Sequence, residues 1–161
     1  MVLSQKLIDK GFSISNVDDS DFDVYFAISR ACYEKYVDEY FGGWLDDFQL
    51  KMNSDAFNKE MKQSTFKKIF FNGELIGFFA FDELDDKIGG VMIQMMENAQ
   101  GKGVGTFYLK HLTSIANSKN KPIFLQVFKS NPAKNLYQRY GFTTYDESIS
   151  HCLMRYNPAV Q

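Results

Sequence analysis

Over residues 11–17 apolar and polar positions alternate with period two, which predicts a half-buried first strand. After Asp18-Asp19-Ser20 the period lengthens. Phe22, Tyr25, Phe26, Cys32, Tyr33, Tyr36 and Val37 return every three or four residues and predict a helix to about residue 38, with Ser20 and Asp23 at capping-box spacing. Gly42-Gly43 breaks that helix, and Trp44-Leu45 leads into a second one with Asp46 and Asp47 in its first turn. Its expected buried face is Phe48, Met52, Phe57 and Met61, and Asn53-Ser54 marks a weak middle at which it could divide. Thr65–Phe71 and Glu74–Glu83 read as strands joined by the hairpin signal Asn72-Gly73. Residues 88–97 form a nearly continuous apolar run, expected to be a strand covered on both faces.

A helix follows, with Leu109, Leu112, Ile115 and Ala116 on its core side and an end near Asn117-Ser118; Pro122 prevents any extension. Ile123–Phe128 is another buried strand. Asn131-Pro132 has the form of an N-cap with proline at the first helical position, and the helix it opens ends at Gly141. Residues 142–147 and 150–156 close the chain as a hairpin. The order β-α-α-β-β-β-α-β-α-β-β describes one α/β domain over residues 1–161, without repeats or linkers.

Composition narrows what such a domain does. With 161 residues, 45% of them hydrophobic and 16% aromatic, the chain forms a full core without disulfide staples. A net charge of −2 supplies no basic field for nucleic acid. Cys32 and Cys152 lack ligand or CxxC spacing and read as reduced thiols of a cytoplasmic protein. His111 and His151 have no partners at metal-ligand spacing, so no metal is expected. No segment reads as a signal peptide or a membrane span, so no membrane partner is expected.

The chemistry concentrates at Gln100-Gly101-Lys102-Gly103-Val104-Gly105-Thr106, between the long apolar strand and the helix after it. Three glycines at alternate positions leave main-chain N–H groups accessible, and the helix start adds unpaired donors and the positive end of its dipole. Such a site suits phosphate or pyrophosphate. The spacing is neither that of a Walker loop nor the Gly-x-Gly-x-x-Gly dinucleotide fingerprint. The alternative for the loop alone is a plain connecting turn.

Two segments together resemble the GNAT superfamily of acyl-CoA N-acyltransferases. Gln100-Gly101-Lys102-Gly103-Val104-Gly105 matches its Gln/Arg-x-x-Gly-x-Gly/Ala coenzyme A loop. Asn131-Pro132-Ala133-Lys134-Asn135-Leu136-Tyr137, continuing to Gly141-Phe142, matches its Asn-x-x-Ala-x-x-Leu-Tyr-x-x-x-Gly-Phe. The resemblance spans nearly the whole chain and is poorest over residues 33–63. It implies a central mixed, mostly antiparallel, twisted sheet with splayed parallel strands flanked by helices. It also implies an acetyl-CoA-dependent N-acetyltransferase, with a primary amine attacking the thioester directly in a ternary complex.

The resemblance carries roles onto particular residues. The N–H groups of residues 101–106, from Gly101 through Lys102, Gly103, Val104 and Gly105 to Thr106, would hold the pyrophosphate beside Gln100. Met95 or Met96 would turn an N–H to the thioester oxygen, and Asn131 and Ala133 would border the pantetheine arm. Tyr137 would lie near the sulfur and protonate the departing thiolate, or else serve only packing. Lys102 either faces phosphate or is a solvated loop lysine. Some members carry a glutamate within the strand before the loop. This chain has Gln94 there and Glu97 at the strand end, where proline is frequent, so Glu97 is the candidate base beside a route through water.

Around the first two helices, acidic residues alternate with Tyr33, Tyr36, Tyr40, Phe41 and Trp44. Tyr33, Tyr36 and Trp44 are the candidate contacts for a small cationic amine, the alternative being a solvated face above core aromatics. The acceptor is expected to be a small-molecule amine and the protein a monomer or homodimer. Two rivals stand: a protein lysine or N-terminal acetyltransferase, and a non-catalytic acyl-CoA sensor.

Overall fold

The computed structural model describes residues 1–159. Seven strands form one sheet, in the order β1-β2-β3-β4-β5-β7-β6. They are β1 Phe12–Asn16, β2 Thr65–Phe71, β3 Glu74–Glu83, β4 Ile88–Met95, β5 Ile123–Phe128, β6 Thr143–Glu147 and β7 His151–Tyr156. The helices are α1 Gln5–Asp9, α2 Phe22–Phe41, α3 Asp46–Glu60, α4 Val104–Lys119 and α5 Ala133–Arg139. The sheet is mixed and mostly antiparallel, as expected, and its one parallel junction, β4 with β5, registers a single pair, Ile88 with Ile123. From there the two strands diverge.

Helices cover both faces. On one side α1, α4 and α5 pack on Phe79, Ile123, Leu125 and Met154, a core that also buries Tyr108, Leu109 and Leu112. On the other, α2 and α3 bring Tyr25, Ile28 and Phe57 against Phe66 and Phe78. Edge-to-face ring contacts knit this second cluster, with Tyr25 and Phe57 at 5.1 Å and Tyr25 and Phe78 at 5.4 Å.

Local chemistry explains where the elements depart from the sequence pattern. The short helix α1 lies outside the predicted set. Ser4 caps it by accepting from the Leu7 N–H, and Leu3 and Leu7 bury beneath it. The capping box before α2 belongs to Asp18 and Asp21, not Ser20 and Asp23: the Asp21 carboxylate accepts from the Asp18 N–H at 2.8 Å. Helix α2 runs on to Phe41, where Gly42 at φ 78° provides a left-handed stop.

Half of the predicted face of α3 turns inward: Phe57 is buried in the second cluster and Met61 packs against it. Phe48 and Met52 are exposed, whereas Gln49, Asn53, Phe57 and Glu60 turn inward. Both sets have helical spacing, so periodicity alone could not choose between them. A buried hydrogen bond fixes the choice. Ser29 on α2 donates to Asn53 Oδ1 at 2.7 Å, and the Asn53 amide donates to the Gln49 carbonyl at 2.8 Å. That internal satisfaction also keeps α3 continuous through Asn53-Ser54.

Candidate active site

Between β4 and β5 the divergence opens a cleft of about 900 Å³ that passes from one face of the sheet to the other. Its geometry follows from the ladder of β4. Gly77 pairs with Met95 and Phe78 with Gln94, and the Met96 N–H donates to the Ile76 carbonyl at 2.8 Å. Antiparallel pairs alternate between bonded and non-bonded, so Met96 and Gln94 spend their main-chain groups on β3. Met95 and Ile93 turn theirs the other way, into the splay. Three donors confirm the direction: Gln100 Nε2 reaches the Met95 carbonyl at 2.8 Å, Cys32 Sγ reaches it at 3.3 Å, and the Tyr33 hydroxyl reaches the Ile93 carbonyl at 3.2 Å.

One wall of the cleft is the start of α4. Gly103, at φ 99°, is the N-cap, and no side chain caps the helix. Phe107 is the first residue whose N–H pairs back, to the Gly103 carbonyl at 3.0 Å. The N–H groups of Val104, Gly105 and Thr106 are therefore free for an anion. A side chain at Gly101, at φ 72°, would meet open space, so the backbone there lies bare. From below, Leu7 of α1 underlies Gly103, and Lys10 donates to the Lys102 carbonyl at 2.9 Å.

Helix α5 forms the adjoining wall. Asn131 Oδ1 accepts from the Ala133 N–H at 2.9 Å and fixes the start of the helix. Tyr137 lies one turn on, largely buried against Phe142, and also lines the cleft. Its hydroxyl makes no hydrogen bond among the described residues, and burial pushes the phenol up to about 12.

On the opposite face of the sheet the lining changes character. Tyr33 and Tyr36 of α2, Phe128 of β5 and His151 of β7 form an aromatic wall, with Tyr36 stacked on Phe128 at 5.1 Å and His151 tilted against Phe128 at 4.1 Å. His151 Nδ1 lies 2.7 Å from Ser150 Oγ, and burial lowers its pKa. Across from these rings stand Glu60, Gln63 and Gln94. Burial pushes the Glu60 carboxyl up to about 7, while the Tyr25 hydroxyl and Lys59 pull it the other way. Cys32 is also raised by burial, to about 11, and remains a thiol.

The cleft brings together most of the residues that the motifs single out. Met95, Gln100, Gly101, Gly103, Gly105 and Thr106 border it, and so do Asn131, Ala133 and Tyr137. Tyr33 and Tyr36 border it from the other face. The side chains of five candidates lie elsewhere. Glu97 occupies a 3₁₀ turn after β4 and edges a separate hollow with Glu74, Met96 and Asn98. Met96 has given its N–H to β3. Lys102 extends its ammonium over the Phe71 ring, 5.5 Å from the centroid, and Val104 points into the core. Trp44 packs on Phe26 beneath the Arg30 guanidinium, away from the cleft. The pattern reading also passed over Glu60 and Gln63. Their signal was present in the inward phase Gln49, Asn53, Phe57, Glu60, which competes with the apolar phase beside it.

A twisted mixed sheet splayed at its one parallel junction, with a glycine-bared helix start at the opening, defines an acyl-CoA N-acyltransferase architecture. The family model for the acetyltransferase (GNAT) family matches residues 29–142, and the chain belongs to that family. It is 32% identical over 130 residues to the uncharacterized N-acetyltransferase YobR of Bacillus subtilis, a match that covers 74% of this chain. The chain spans about half of that relative, 52% of its length. Among solved structures it is similar to the PaiA N-acetyltransferase of Thermoplasma acidophilum in complex with coenzyme A, with TM-score 0.68 and 17% identity over 91% of this chain and 99% of that one. Arabidopsis thaliana Naa50 in complex with a bisubstrate analogue gives TM-score 0.61 and 17% identity over 90% and 97%. Among the described residues no cluster of three metal-ligating side chains occurs, and no helix is long and apolar enough to cross a membrane.

Proposed function

We propose that the chain is an acetyl-CoA-dependent N-acetyltransferase acting on the primary amine of a small molecule. The observation that carries this reading is the β4–β5 splay, with the Met95 and Ile93 main chain facing into it and the uncapped start of α4 at its mouth. The α4 side fits coenzyme A. The N–H groups of Val104, Gly105 and Thr106, with the bare backbone of Gly101 and Gly103, would hold the pyrophosphate. The exposed main chain of β4 would pair with the amide-bearing arm as an added strand does. Acetyl-CoA brings the thioester, and the remaining work belongs to the protein.

Met95 is the residue whose N–H would face the carbonyl oxygen on which negative charge develops, because the N–H of Met96 is taken. Tyr137 would donate its proton toward the departing sulfur. A phenol held near 12 stays protonated throughout the neutral range, as a donor must. On the other face, α2 and α3 close the cleft with aromatic rings and one carboxylate, which suits a compact amine better than an extended peptide. Acetylation of a protein amine is the second reading, favoured by the resemblance in fold to Naa50.

Calorimetry with acetyl-CoA tests the first half of the proposal, and absence of binding would sink it. Free-thiol release with small amines and with peptides presented side by side separates the two acceptor classes.

A further inference from the structure

Glu60 lines the same cleft as Tyr137 and, unlike the other buried carboxylate among the described residues, Asp21, it has no ion pair. Its residue is 9% exposed, and its Oε2 has no hydrogen-bond partner among the described residues. No salt bridge reaches it there; all the ion pairs lie elsewhere. The charged and titratable groups facing it are Tyr25 and Tyr33 from α2, Tyr108 from α4, and Lys59 on its own helix. Beside it, Gln94 is 4% exposed with Nε2 unpartnered, and Gln63 Oε1 is unpartnered as well. The Gln63 amide lies on the bare backbone of Gly90, where a side chain would collide with it at 2.1 Å.

A buried carboxylate without a cation is costly, and so are buried amide groups without partners. Three of them converging on one wall of a cleft form a site that a ligand completes. The ligand must be a cation to match the carboxylate, must offer N–H donors to the unpartnered Glu60 Oε2 and Gln63 Oε1, and must fit beside the aromatic wall of Tyr33, Phe128 and His151. A primary ammonium borne on an aromatic group meets each demand.

We propose that Glu60, flanked by Gln94 and Gln63, is the acceptor subsite: its carboxylate binds the ammonium of an aromatic primary amine and removes the proton that must leave before attack. The inference rests on the acetyltransferase reading. The ammonium gives one proton to Glu60, and the nitrogen lone pair forms the C–N bond as the C–S bond breaks. The second nitrogen proton balances the one taken up by the departing sulfur, and Glu60 releases its own to solvent. An amine of pKa near 10 is deprotonated in only about one molecule in 10³ at pH 7, so a base matters. A carboxyl poised near 7 accepts that proton about 10²-fold more readily than one at its ordinary 4.5.

The test uses phenethylamine as the acceptor and phenethyl alcohol as its neutral counterpart, with Glu60→Gln and Gln94→Met beside the unaltered chain. Acetyl-CoA binding is followed by calorimetry and folding by thermal unfolding. For the unaltered chain kcat/KM rises with pH and levels off near 7. In Glu60→Gln it drops about 10²-fold at pH 7 and the limb moves toward the pKa of the amine itself, while acetyl-CoA binding is kept. Gln94→Met raises KM for phenethylamine without moving the limb, and phenethyl alcohol does not displace phenethylamine. Activity of Glu60→Gln within threefold of the unaltered chain, on the same pH profile, overturns the proposal. Acetyl-CoA binding without thiol release from phenethylamine overturns the subsite alone, whereas failure of acetyl-CoA to bind overturns the enzyme reading beneath it.

Discussion

The ammonium of Lys10 donates to the main-chain carbonyl of Lys102 at 2.9 Å, joining residues 92 positions apart. This bond ties the first helix to the glycine loop and brings a positive charge to the mouth of the proposed anion site. Lys10→Met removes both. An exposed bond of this kind contributes about 0.5–1.5 kcal/mol, so coenzyme A affinity should fall about three- to tenfold. Calorimetry at low and high salt checks it, since the lost charge reduces the salt dependence.

Gly103 tests the loop from within. At φ 99° an alanine costs about 1–2 kcal/mol from backbone conformation, whereas its Cβ would meet only Leu7 Cδ2, at an ordinary 3.8 Å. Gly103→Ala should therefore lower Tm by about 3–6 °C and weaken coenzyme A binding in parallel. Gly105→Ala has no positive φ to oppose and meets only the flexible end of Leu136 at 3.3 Å. Its Tm should shift less, and scanning calorimetry of the pair separates strain from contact.

Tyr137→Phe keeps the ring against Phe142 and deletes the proton donor. Loss of about 10²-fold in kcat is expected, with KM for acetyl-CoA within about twofold. Because the phenol is held near 12, no limb of the neutral pH profile belongs to it. Steady-state rates from pH 6 to about 9 check both statements.

Glu60 also makes a claim about stability. Burial raises its carboxyl from 4.5 to about 7, so the folded chain holds a proton that the unfolded chain has already released. Below about pH 4.5 both states are protonated and the carboxyl costs nothing; above about 7 both are ionised and the full cost is present. A shift of this size corresponds to about 3 kcal/mol. Glu60→Gln should thus unfold at higher denaturant than the unaltered chain at pH 8 and lose that advantage toward pH 4. Urea midpoints across this range decide it.

Much of this architecture is legible in the residue pattern because its signals are local. Asn72-Gly73 marks the hairpin, Pro122 and Gly141 mark ends, and the alternate glycines of 101–105 mark the bare helix start proposed as the anion site. The family resemblance adds Asn131 and Tyr137. What the pattern conceals is non-local. Whether α3 presents Phe48 or Gln49 inward depends on Ser29, 24 positions from Asn53, and no periodicity reports that bond. Glu97 is conspicuous beside the loop, yet the turn after β4 carries it out of the cleft. Glu60, distant in sequence, arrives from the end of a helix. The choice between Met95 and Met96 turned on ladder parity, which only the register with Ile76 and Gly77 reveals.

At its centre the sheet registers the single pair Ile88–Ile123 between β4 and β5, which divides its ladder into two leaves. Strands one to four form the first leaf and five to seven the second; beyond the one registered pair, Tyr33 links them by donating to Ile93 while packing on Phe128. A molecule laid along the inner rim of the first leaf and braced against α5 would span the gap and make the leaves breathe as one. Amide exchange at Ile93 and Met95 should then slow together with exchange across the fifth strand when coenzyme A is added, although no residue of that strand need touch its phosphates.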